Sequence, residues 1–102
     1  MTKISDYNPR AVGIVWVREE DYAAFLAVME DANGLPPDWQ TFIKFSEEAE
    51  NSRKAEGHTV ERAYIDPNTF PDWCARNDYR VNSNGRMAFA ASVAFEKHRS
   101  NH

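Results

Sequence analysis

Hydrophobic and polar positions along the chain fall into two spacings, one for strands and one for helices. Val12 to Val17 is an unbroken β-branched and aromatic run, which suits a pleated, packed surface and reads as a strand. Glu19, Glu20 and Asp21 follow, where a helix dipole favours acidic side chains. Tyr22, Phe25, Leu26 and Met29 then recur at the spacing of one helical face. Asn33-Gly34 closes that helix, with Gly34 as its left-handed stop.

Leu35-Pro36-Pro37-Asp38 forms a stiff connector, and Pro tolerates a first helical position. A long helix is expected from about Pro37 to Glu56. Trp39, Phe42, Ile43 and Phe45 make its front half apolar, whereas Glu47 to Glu56 is almost wholly polar. The front is therefore expected to be buried and the rear to project into solvent. Gly57 ends it, and Thr59 to Ile65 reads as a second strand. Asp66-Pro67 starts a short helix as N-cap and first turn, with Phe70, Trp73 and Cys74 on its apolar face. A last helix, capped within 82–84, runs from Ser83 to Arg99. It is apolar nearly all round, which suits a central helix or one in a subunit interface.

The order strand, helix, helix therefore occurs twice. Sliding the chain by 48 positions brings Val17 over Ile65, Tyr22 over Phe70 and Phe25 over Trp73. The fold class expected is α+β, a helix-rich β-α-α-β-α-α with a two-stranded sheet and two pseudo-repeats. It forms one domain over 1–102: a loose lead-in over 1–10, a first unit over 11–57 and a second over 58–99. A two-stranded sheet is marginal alone and exposes two edges. Val12, Ile14 and Trp16 share one face of the first strand, and Arg62 and Tyr64 share one face of the second. If helices clamp both faces, the residues there are core; if all the helices lie on one side, the other is bare. Ile14, Trp16, Arg62 and Tyr64 are then candidate interface residues, since aromatics and Arg are typical of partner surfaces.

Composition narrows the function classes. The chain has 102 residues, 42% hydrophobic and 27% charged, which suits a globular domain large enough to fold without staples. Lys and Arg number 12 against 16 Asp and Glu, a net charge of -4. That balance argues against general nucleic-acid binding, where cationic surface supplies most of the affinity. The longest apolar run is too short to cross a membrane, and no export signal is read at the N-terminus. A cytoplasmic location is expected.

Candidate chemistry is sparse. The single Cys, Cys74, has no base or cationic cluster beside it in sequence and reads as a buried structural thiol. His98 and His102 are four apart but lie at the chain end, and His58 follows a helix-ending Gly. No catalytic residue, metal site or cofactor is assigned. The 4 Gly are dispersed, so there is no phosphate-cradling loop, and no nucleophile elbow or zinc motif occurs. Arg18, Asp66 and Arg86 lie near strand ends and helix starts, where ligands often sit in related arrangements, and form a candidate anion or metabolite site.

Ile65-Asp66-Pro67 leading into Phe70, Trp73 and Cys74, followed by Arg86, Ala88 and Phe89, resembles a pattern in a group of small bacterial proteins with no assigned activity. Tyr22, Leu35-Pro36 and Trp39 fit the same pattern, so the resemblance spans about 12–95. Its motifs are caps and core aromatics, and it carries no activity over. The group more often has Gly where this chain has Asp78, which leaves the turn conformation there open.

Three functions remain. The leading expectation is a small protein-interaction module, homodimeric and without catalysis, whose partner is itself or another protein. The alternative is a small-ligand binding protein or enzyme using Arg18, Asp66 and Arg86. A third is a regulator that binds a basic partner through the acidic stretch Glu47 to Glu56.

Overall fold

The computed structural model of the chain describes residues 11–99. The lead-in over 1–10 and His102 lie outside them. Strand β1 (Ala11–Trp16) is followed by a 3-10 turn (Glu19–Asp21), helix α1 (Tyr22–Val28), a second 3-10 turn (Ala32–Gly34) and helix α2 (Trp39–Ala55). Strand β2 (Thr59–Tyr64), helix α3 (Phe70–Arg76) and helix α4 (Ser83–Arg99) complete the described order. This is the α+β architecture expected. Apart from the two 3-10 turns of the first unit, the strands and helices match in length: strands of 6 residues, short helices of 7 and long helices of 17.

β1 and β2 pair in parallel, Ala11 with Thr59 through Trp16 with Tyr64. Parallel neighbours need a crossover, and here 17–58 supplies it. The two long helices lie on opposite faces. Arg62 reaches Glu50 of α2 from one face, whereas Glu61 reaches Lys97 and His98 of α4 from the other. On the α4 side the contact is very close. A Cβ on Gly13 would overlap the Ala90 carbonyl, so the missing side chain is what lets the helix settle on the strand. Ala63, Ala90 and Ala94, all buried, continue that small-residue contact.

The expectation that the face of Trp16 and Arg62 is bare is corrected in part: α2 lies over it and Trp16 is buried, while Arg62 and Tyr64 stay exposed. The reason lies in which residues of α2 turn inward. Phe42, Ser46 and Glu50, four apart, are buried, and Phe45 is 60% exposed. Two of these inward residues are polar, and each has a partner. Ser46 Oγ donates to the Val15 carbonyl at 3.0 Å, and the Glu50 carboxylate accepts from Arg62 Nε and Nη2 at 2.8 and 3.0 Å. Satisfied polar groups can be buried at little cost, so α2 lies on the sheet as far as Glu50, whereas 51–56 is exposed, as expected of its rear.

The main core lies just beyond the strand ends. Val17 and Ile65 pack with Tyr22, Phe25, Met29, Phe42, Phe70 and Cys74. Tyr22, Phe25 and Phe42 form a ring cluster with centroids 5.1 to 5.6 Å apart. Phe89 of α4 meets Phe70 and Trp73 edge-on.

Side-chain caps open the two long helices. The Asp38 carboxylate accepts the Thr41 N–H at the start of α2, and Asn82 accepts from Asn84 and Gly85 at the start of α4. Gly57, at φ 93°, ends α2. Two expectations shift. α1 stops at Val28, well before Gly34, because Met29 turns extended and buries its side chain. Gly34 ends a 3-10 turn and is not left-handed. Asp66 opens a turn by accepting the Asn68 N–H, and α3 begins four residues later, at Phe70.

Asp78, just beyond α3, takes the left-handed conformation, φ 65°. A Cβ is strained there, so Asp78→Gly is expected to raise stability by up to about 1 kcal/mol. Urea unfolding of the two proteins measures the difference, with an unchanged slope expected.

Candidate functional site

The sheet has two outer edges, and they differ. β2 carries Glu61 and Arg62 along its length, charges of the kind that keep an edge from pairing. β1 reads Ala-Val-Gly-Ile-Val-Trp, with no charge and no Pro. The Trp16 carbonyl accepts from the Ile65 N–H, so the even-numbered peptide groups of β1 turn toward β2. Those of Ala11, Gly13 and Val15 therefore point to the outer edge. Ser46 Oγ holds one lone pair of the Val15 carbonyl.

This edge is the floor of a groove of about 620 Å3 whose walls are α2 and α4. Phe42, Phe45 and Ala49 line one wall, and Met87, Ala91 and Phe95 line the other. Phe45 is 60% exposed, Met87 67% and Phe95 52%. Among the described residues no strand pairs with this edge, and three large apolar side chains around it keep half or more of their surface exposed, the kind of clustering that marks an interaction surface. Among the described residues no carboxylate lines it. The two charged or titratable side chains that do are engaged: Arg86 by Asp31, and His98 by Glu61 at 2.8 Å.

The candidate interface residues divide. Ile14 is half-buried and borders the groove. Trp16 is only 5% exposed, with the Arg62 guanidinium 3.9 Å above its ring. Arg62 thus bridges the indole and Glu50. The Arg62 hydrogen bond holds the Glu50 carboxyl below its usual range, against the opposing effect of burial. Tyr64 remains 40% exposed, with Arg18 over its ring at 4.7 Å.

The candidate ligand residues are engaged separately. Arg18 lies on Tyr64 and Asp66 accepts within its own turn. Arg86 is buried, with two nitrogens on the two oxygens of Asp31 at 2.8 and 3.1 Å and a further contact to the Met29 sulfur. No hydrogen bond, ion pair or ring contact joins any two of the three among the described residues. Cys74 is fully buried, and desolvation pushes its thiol pKa up, away from nucleophilic character. Among the described residues no cluster of three or more metal-ligating side chains occurs. No helix among them is long and apolar enough to cross a membrane.

The groove residues that sequence reasoning passed over are Phe45, Met87, Ala91 and Phe95. Phe45 was assigned to the buried front of its helix. A signal for the other three lay in the apolar girdle of α4, which exceeds what one packed face needs. Comparison with protein-family models, with curated proteins and with solved structures finds no significant match.

Proposed function

We propose that the protein is a small interaction module without catalysis, that it forms a homodimer, and that it docks through the outer edge of β1. The observation that carries this reading is the uncharged edge that no other described strand pairs, flanked by exposed Phe45, Met87 and Phe95. An unpaired strand edge offers main-chain hydrogen bonds to another strand, and the side chains around it supply apolar area. Charge allows a second copy to approach. The chain carries -4, yet no carboxylate lines the groove among the described residues, so the surplus acids stay outside the contact. Seventeen of the described residues line the groove, just short of the roughly 20–30 a side of a standard stable interface.

This reading moves the interface away from the face of Trp16 and Tyr64, since a Trp held beneath Arg62 and α2 has little area left to offer. Light scattering on the wild-type chain is expected to give twice the chain mass. Met87→Lys, at an exposed position, is expected to give the single-chain mass with unchanged circular dichroism. A wild type that is monomeric at every concentration would overturn the reading.

A further inference from the structure

We infer that the second copy docks antiparallel about a two-fold axis through Gly13 and Ala91, joining the sheets into one of four strands. This rests on the interaction reading above and adds the geometry of its partner. A two-fold interface is self-complementary, so its apolar pattern must read the same in both directions about the axis. Two independent elements of this chain have that property, and they share a centre.

The first is β1. Its outward peptide groups are Ala11, Gly13 and Val15, symmetric about Gly13. In an antiparallel pair, Gly13 exchanges both hydrogen bonds with the partner's Gly13, and Ala11 does so with the partner's Val15. The Val15 carbonyl keeps a lone pair for this, since Ser46 occupies only one of the two. The resulting strand order is β2, β1, the partner's β1, the partner's β2. The outermost strands are then those that carry Glu61 and Arg62, and no bare edge remains.

The second is α4. Its exposed groove residues are Met87, Ala91 and Phe95, one residue per turn: large, small, large. The pattern is symmetric about Ala91. An antiparallel copy sets Met87 against the partner's Phe95 on both sides of the axis. The small Ala91 at the crossing admits the interaxial spacing of about 8–10 Å that helices adopt. The close contact of Gly13 with Ala90, the neighbour of Ala91, places the strand centre and the helix centre at one level. The two-fold that aligns the strands therefore also aligns the helices. An unrelated strand-bearing partner would require no such coincidence.

Disulfide formation tests the axis. A residue at the centre lies beside its own copy. A residue one turn away lies roughly 12 Å from its own copy along the helix, beyond disulfide reach. Under mild oxidation Ala91→Cys is expected to give a covalent dimer. Met87→Cys alone is expected not to, and Met87→Cys with Phe95→Cys is expected to crosslink again. Cys74 is fully buried and does not compete.

A wild-type dimer that crosslinks through Met87→Cys but not Ala91→Cys overturns the axis and leaves the interaction reading standing. Equal crosslinking at both positions is random collision and also overturns the axis. A monomeric wild type removes the interaction reading and this geometry with it. Amide exchange gives a check that needs no new cysteine. The Gly13 and Val15 N–H groups are expected to be protected in the wild type and to exchange freely in Met87→Lys. Equal exchange in a dimeric wild type and in the variant overturns the pairing.

Discussion

Gly13→Ala is expected to cost about 3 kcal/mol or more, the largest effect of any single methyl in this chain. The added Cβ meets the Ala90 carbonyl oxygen and carbon, both backbone atoms of a helix. A clash with a flexible side chain is relieved by a rotamer change. Here either α4 must lift from the sheet or β1 must bend. Lifting α4 would loosen the buried contact of Ala63, Ala90 and Ala94 and pull at the polar contacts of Glu61 with Lys97 and His98. For a domain of this size, 3 kcal/mol lowers the melting temperature by roughly 12 °C or more. Gly34→Ala provides the comparison. A Cβ at Gly34 meets nothing within 4 Å, and its φ is not positive. It is expected to change stability by less than about 1 kcal/mol, with stabilisation the favoured sign because the unfolded chain loses freedom. Calorimetry on the two variants reads the contrast directly. Equal melting temperatures would mean that α4 does not rest on β1 as described.

The same contact shows how far the sequence could be read. Both strands, the long helices and the repeated order of elements follow from periodicity and caps, because those signals are local. The offset of 48 that aligns the two units is also the offset of the strand register, Ala11 against Thr59. Which face each helix covers is not local. It depends on Gly13 admitting α4 on one side and on Ser46 and Glu50 finding partners on the other. Polar residues at inward positions look like a solvated surface until the carbonyl of Val15 and the guanidinium of Arg62 are in place. The sequence alone therefore does not place Ser46 and Glu50 inward or Trp16 beneath α2, although it does give the exposed 51–56. The groove escaped notice for a related reason. It lies along an edge, and edges exist only once strand order is known. Phe45 was read as core because it stands beside Trp39, Phe42 and Ile43, yet the inward stripe of α2 passes through Phe42 and Ser46 and leaves Phe45 outside.

The buried pair of Arg86 and Asp31 is expected to be asymmetric under mutation. The Arg86 side chain is 11% exposed and that of Asp31 is 38% exposed. Asp31→Ala therefore strands a guanidinium inside the protein with only the weak Met29 sulfur as acceptor. That is expected to cost about 3 kcal/mol, the lower end for breaking a buried pair by removing one partner. Arg86→Met leaves Asp31 free to hydrate and fills much of the vacated volume, so its cost is expected to be about 1 kcal/mol. If the stranded charge dominates, adding Arg86→Met to Asp31→Ala recovers stability although it is a second lesion. Simple additivity of the two costs would show that the charge stays solvated and that the pair is only a surface contact.

The pH dependence carries the same sign. The hydrogen bond from Arg86 holds the Asp31 carboxyl below its usual range. Its contribution is therefore fully present above the ordinary aspartate pKa of about 3.9 and is lost as pH falls through the lowered folded value. The stability gap between wild type and Arg86→Met is expected to close in that acidic window and to stay constant above it. A gap that persisted into strong acid would assign the loss to packing around the Arg86 stem instead of to the ion pair.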